Sequence, residues 1–149
     1  MENMKEHYGK NCIILIGMPG VGKSTIGVIL AKELGMQFLD SDLLIQEQEK
    51  KLLREIIEEK GVKGFLEIEN RVNASIRAEN TVIATGGSAV YGREAMEHLK
   101  TLGTVVYLRL PYPKLRRRHH NLKGRGVVLK EGQSFRELFQ ERSRLYEKY

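Results

Sequence analysis

Gly17-Met18-Pro19-Gly20-Val21-Gly22-Lys23-Ser24 is the stretch on which the reading of this chain turns. It completes the pattern G-x-x-x-x-G-K-[ST]. The apolar run Cys12-Ile13-Ile14-Leu15-Ile16 precedes it and reads as a strand buried on both faces, as in a parallel sheet. Lys23 to Leu34 follows, with apolar residues at Ile26, Ile29, Leu30 and Leu34 and a closing Gly35, the pattern of a helix with one apolar stripe. In that context the glycines let successive N–H groups face inward, and the helix adds the positive end of its dipole. The result is a cradle for a nucleotide triphosphate, with Gly17, Gly20, Val21, Gly22, Lys23, Ser24 and Thr25 as its expected contacts. Lys23 is placed to span the β- and γ-phosphates, and the Ser24 hydroxyl to ligate Mg²⁺. ATP and Mg²⁺ are the cofactors this implies.

Outward from the loop, strand and helix alternate. Gln37-Phe38-Leu39 reads as a second strand, and two helices are expected after it, from Asp42 to Lys60 and from Phe65 to about Asn80, with a pause at 61–64. Thr81–Thr85 is a third strand ending in Gly86-Gly87, Arg93–Leu99 a helix, and Thr104–Leu108 a fourth strand. Alternation of this kind predicts right-handed crossovers and an α/β three-layer sandwich, a parallel sheet flanked by helices. Ligands then bind at the carboxyl ends of the strands. Residues 1–149 are expected to form one domain.

Composition narrows the function classes. With 41% hydrophobic and 30% charged residues the chain is globular rather than disordered. No apolar run approaches the roughly 20 residues of a membrane span. The mixed-charge start, Met1–Lys10, does not fit a signal peptide. A single cysteine, Cys12, in an apolar run fits a reducing compartment, so a cytoplasmic protein is expected, and a monomer is the expected state. The net charge of +6 is concentrated: Lys100 to Lys130 contains nine Lys or Arg and no Asp or Glu. An anionic ligand is the expected visitor there. A nucleic acid is not, since the aromatic interleaving of a single-strand platform is thin there.

The only aspartates are Asp40 and Asp42, in Phe38-Leu39-Asp40-Ser41-Asp42. Two residues apart in an extended segment, they would face one side of the site. One would serve the metal and the other would accept the proton of an attacking hydroxyl. The alternative is that Ser41 or Asp42 caps the next helix. Strands three and four end without a carboxylate, which leaves Asp40 as the metal-side acid and points away from GTPases and motors. The reaction indicated is phosphoryl transfer to a hydroxyl of a small molecule.

These residues resemble the shikimate kinase family. The resemblance rests on Gly17-Met18-Pro19-Gly20-Val21-Gly22-Lys23-Ser24-Thr25, on Phe38 to Asp42, on Ala84-Thr85-Gly86-Gly87, and on Glu141-Arg142-Ser143-Arg144-Leu145-Tyr146. By resemblance, Asp40 supports Mg²⁺ through water, and Asp42 binds and orients the substrate hydroxyls. Gly86 and Gly87 line the substrate site, and Arg142 pairs with the substrate carboxylate. Arg125 is implied to be the catalytic arginine of a lid spanning 114–132, and Arg118 the arginine that stacks on adenine.

Three departures stand out. The family's Phe-Arg-x-x-Glu reads Phe65-Leu66-Glu67-Ile68-Glu69 here, so the arginine that holds the shikimate carboxylate is Leu66. The third glycine of Gly-Gly-Gly is Ser88. The family's final strand and helix are missing from these 149 residues. Shikimate is the leading acceptor. A kinase for another small polyol or sugar acid, or an ATP-binding module without transfer activity, is the alternative.

Overall fold

A computed structural model describes residues 11–119 and 132–149. Four strands form one parallel sheet: β1 (Cys12–Ile16), β2 (Gln37–Asp40), β3 (Thr81–Ala84) and β4 (Gly103–Tyr107), in the order β2-β3-β1-β4. β1 is central, with Ile13 beside Val82 on one side and Thr104 on the other. Its β-branched residues suit a strand covered on both faces. The covers differ. Ile14 and Ile16 pack with Ile83, Met96 and Leu99, whereas Leu15 and Val82 pack with Ala31. The first crossover steps from β1 to the β2 edge and the last steps from β3 across to β4, in opposite directions. Right-handed connections therefore put helices α1 (Lys23–Leu34) and α4 (Arg93–Leu102) on opposite faces.

The expected stripe of α1 is overturned. Lys23, Gly27 and Ala31 are its buried residues, while Ile26, Ile29 and Leu34 are exposed and Leu30 is half-buried. The cause is close packing on the sheet: a Cβ on Gly27 would sit 2.7 Å from the Phe38 ring and 3.3 Å from Leu15. Only small residues admit that approach, so the small face of the helix turns inward.

The segment after β2 also divides differently. Helix α2 (Ser41–Glu49) stops at Lys50, whose φ of 56° is left-handed, and α3 (Leu53–Ala74) begins after Leu52, whose N–H donates to Glu55 Oε2 at 2.9 Å. The pause expected at 61–64 is present as a kink at Gly61, φ 73°. α3 ends at Ala74, six residues before the predicted end. Helices α5 (Tyr112–His119) and α6 (Phe135–Lys148) meet through the rings of Tyr112, Phe135 and Phe139. No helix among the described residues is long and apolar enough to cross a membrane.

This arrangement brings four chain segments to the carboxyl end of the sheet: the loop after β1, Asp40 at the end of β2, Thr85-Gly86-Gly87 after β3, and Leu108 after β4.

Gly103 lies against Cys12 in the β1–β4 register, and a Cβ there would overlap the Cys12 carbonyl. Gly103→Ala is expected to pry the two strands apart and cost about 1–3 kcal/mol. A urea titration checks this, with a lowered midpoint at unchanged slope.

Candidate active site

The loop after β1 has the shape its glycines allow. Gly17, Gly20 and Gly22 have φ of 150°, 85° and 100°. At Gly17 a side chain is excluded twice over, because a Cβ would also lie 2.5 Å from the Leu108 carbonyl oxygen. Lys23 opens α1 and turns back, donating to the carbonyls of Gly17 at 2.6 Å and Met18 at 2.9 Å. Its ammonium is buried, and that burial pulls its pKa down to about 8 against the attraction of Asp42. Val21 is buried under the loop, while Ser24 and Thr25 stand exposed at the start of α1.

Asp40 does two things at once. Its Oδ1 accepts from the N–H groups of Asp42 (2.9 Å) and Leu43 (3.3 Å), so Asp40 itself caps α2, in place of the Ser41 or Asp42 cap weighed from sequence. Its Oδ2 accepts from Ser24 Oγ at 2.8 Å, which joins the end of β2 to the phosphate loop. A hydroxyl and a carboxylate side by side are the hard oxygen donors that Mg²⁺ takes alongside phosphate oxygens, so this pair fits that ion.

Asp42 sits in the first turn of α2 rather than in an extended segment. Its carboxylate reaches the site by a helical turn, and a Cβ on Gly86 would lie 2.5 Å from its Oδ1. Burial, and then the charge of Asp40, push its pKa up to about 6, with Lys23 pulling the other way. Gly87 presents its backbone beside Pro19 and Arg142: a Cβ there would lie 2.6 Å from Pro19 Cδ and 2.9 Å from Arg142 Nη1. Arg142 is buried, with its guanidinium 5.5 Å from the centre of the Tyr91 ring. Lys23, Ser24, Asp40, Asp42, Gly86, Gly87 and Arg142 are thus brought to one place.

Arg118 is beside the loop, donating from Nη1 to the Gly20 carbonyl at 2.8 Å. Arg125 and most of the 114–132 lid segment lie outside the described residues. Arg71 pairs with Glu49 at 2.5 Å, away from the site.

Two further residues belong here. Tyr146 is buried and donates its hydroxyl to the Gly87 carbonyl at 2.6 Å, fixing that turn from α6. Glu69, on α3, is 2% exposed and accepts from Ser88 Oγ at 2.6 Å. Burial pushes its pKa up to about 7, against the hydrogen bond from Ser88. A signal for it existed in the sequence: Glu69 falls on the buried stripe with Phe65, Val72 and Ile76, where an acid is out of pattern.

The elevated Glu69 pKa has a measurable sign. Between its ordinary value of 4.5 and about 7, the folded protein holds this proton more firmly than the unfolded chain. The contribution to stability therefore declines as pH rises through that window and stays low above it. Glu69→Gln keeps an acceptor for Ser88 and removes the buried charge. Without nucleotide, it is expected to be more stable than the wild type by about 1–3 kcal/mol at pH 8 and no more stable at pH 4.5, by urea denaturation at the two pH values.

Comparison with known proteins agrees with this geometry. The model of the shikimate kinase family matches residues 19–149. A shikimate kinase of Persephonella marina is 35% identical over 135 residues, 90% of this chain and 82% of the relative. One of Clostridium botulinum is 45% identical over 107 residues, 71% of this chain and 64% of the relative. Among solved structures, shikimate kinase from Acinetobacter baumannii in complex with shikimate matches with a TM-score of 0.82 at 35% identity, covering 97% of this chain and 82% of that one. Shikimate kinase from Aquifex aeolicus matches with a TM-score of 0.71 at 30% identity, covering 92% and 82%. This chain belongs to the shikimate kinase family.

Proposed function

We propose that this protein transfers the γ-phosphoryl group of ATP to a hydroxyl of shikimate. The observation that carries the reading is the meeting of Lys23, the Asp40–Ser24 pair, Asp42 and the Gly86-Gly87 backbone at one end of the sheet, in a chain of this family. In this reading the N–H groups of residues 17–25 bind the phosphates, and Lys23 stabilises the charge that moves during transfer. Asp42, its pKa pushed up to about 6 by burial, orients the acceptor hydroxyl and takes its proton. Ser24 and Asp40 would hold Mg²⁺. Bound Mg²⁺ supplies neutralisation of the β- and γ-phosphate oxygens. Arg142 takes the acceptor carboxylate, Arg118 stacks on adenine, and Arg125 closes over the phosphates and excludes water. Residues 1–149 act as one domain and as a cytoplasmic monomer, with 114–132 as the lid.

Leu66 sets the strength of acceptor binding. It packs with the apolar cluster of Ile45, Ile56 and Phe65, so no cation stands where the family places its arginine. A lost charge-assisted hydrogen bond is worth roughly 1.5–3 kcal/mol. A high KM for shikimate follows.

A coupled assay of ADP release, with and without shikimate, tests the assignment. Shikimate-dependent turnover is expected. Turnover only with another polyol or sugar acid would move the acceptor, and ATP binding without turnover on any hydroxyl would leave a binding module. Lys23→Ala should abolish transfer in a folded protein, as judged by circular dichroism. Asp42→Asn should lose far more kcat than ATP affinity. Leu66→Arg should lower the KM for shikimate by about ten- to hundredfold.

A further inference from the structure

Tyr146 holds one carbonyl of a turn whose neighbouring carbonyls are satisfied locally. Gly86 O accepts from the Ala89 N–H and Ser88 O from the Tyr91 N–H, each at 3.1 Å. Gly87 O, between them, accepts from the Tyr146 hydroxyl at 2.6 Å. Tyr146 is 1% exposed, so losing its hydroxyl would strand a buried acceptor. Burial pushes the phenol pKa up, and the group stays a donor at neutral pH.

The same hydroxyl meets three parts of the site. Arg142 lies one turn earlier on α6, the spacing that puts two side chains on one face, and it hydrogen-bonds the Tyr146 hydroxyl. Arg142 Nη1 is also 2.9 Å from the point where a Cβ of Gly87 would stand, and Pro19 Cδ of the phosphate loop is 2.6 Å from that point. Tyr146 Oη lies 3.8 Å from the Sδ of Met18, the residue before Pro19. The Tyr146 ring packs on Tyr107 at the end of β4, with centroids 5.1 Å apart, so the hydroxyl is aimed from a fixed base.

We propose that Tyr146 is a positioning residue for phosphoryl transfer. By donating to the Gly87 carbonyl and accepting from Arg142, its hydroxyl sets the acceptor-side turn and that arginine against the phosphate loop. This deepens the kinase reading above and rests on it. A small shift of the turn would move the acceptor hydroxyl off the line to the γ-phosphate, and transfer is acutely sensitive to such misplacement.

Tyr146→Phe keeps the ring against Tyr107 and removes only the hydroxyl. Steady-state kinetics should show kcat/KM for shikimate lowered about ten- to hundredfold. The Kd for ATP, by isothermal titration, should stay at the wild-type value. Leu99→Ala is the control for stability alone: Leu99 is a fully buried core residue one turn before β4 begins, at the opposite end of the sheet from Gly87. It should lower Tm at least as much as Tyr146→Phe and leave kcat/KM unchanged wherever it is folded. Replacing Tyr146 with 4-aminophenylalanine, which puts an N–H donor in the hydroxyl's place, should preserve kcat/KM. Replacing it with 4-fluorophenylalanine, which fills the space without a donor, should not, and this pair answers the question if the phenylalanine variant fails to fold. A folded Tyr146→Phe with unchanged kcat/KM, or with ATP affinity falling in step, would overturn the proposal and leave the kinase reading in place. So would a 4-aminophenylalanine protein no more active than the 4-fluorophenylalanine one. A wild type without shikimate-dependent turnover would overturn both.

Discussion

A buried ammonium group has to be hydrogen-bonded, and much of this site follows from where Lys23 finds its acceptors. It bonds to the carbonyls of Gly17 and Met18, five and six residues earlier, so the intervening chain must curl back on itself. That curl uses positive φ at Gly17, Gly20 and Gly22, which only glycine adopts without strain. The same positive charge lies within the field of Asp42, Asp40 and Glu69, and it holds down the pKa of the two buried acids that would otherwise rise further. The phosphate cradle and the acceptor pocket are thus one electrostatic unit, built around a cation with two backbone partners.

The elements carrying the strongest local signals were legible in the sequence. The β1 run and the glycine loop read correctly because burial on both faces and positive φ each demand particular residue types. α1 was misread because its apolar residues outnumber its small ones, and the small ones were what the sheet required: Phe38 and Leu15 approach Gly27 too closely for a side chain. The pairing of Asp40 with Asp42 was anticipated, but through the wrong geometry. A strand and the first turn of a helix bring the two together, and the cap belongs to Asp40. Glu69 and Tyr146 escaped because each is defined by a partner far off in the chain. Ser88 lies 19 residues from Glu69 and Gly87 lies 59 from Tyr146; the helical stripe marks Glu69 as a buried acid, but no local pattern names either partner.

Leu66 shows how a family pattern can change at one position without disturbing the fold. A leucine joins the cluster of Ile45, Leu53, Ile56, Phe65 and Val72, gaining apolar contact where an arginine would have needed a charged partner. One turn on, the buried Glu69 has its cations from elsewhere in the chain, Arg142 and Lys23, rather than from its own helix. Ionising the buried Glu69 weakens the fold, because the charge is taken out of water.

The central place of β1 also has a meaning for the order in which the protein takes shape. The nucleotide loop is encoded near the start of the chain, yet β1 is flanked by β3 and β4, and Gly17 rests against the carbonyl of Leu108. During synthesis at roughly 5–20 residues per second, several seconds separate the emergence of the loop from that of the strands that enclose it. Until β3 has left the ribosome β1 has no neighbour in the sheet, and until residue 108 follows, its other side stays open. A segment made before its neighbours is completed only after them, and its protection in the interval falls to whatever binds nascent chains.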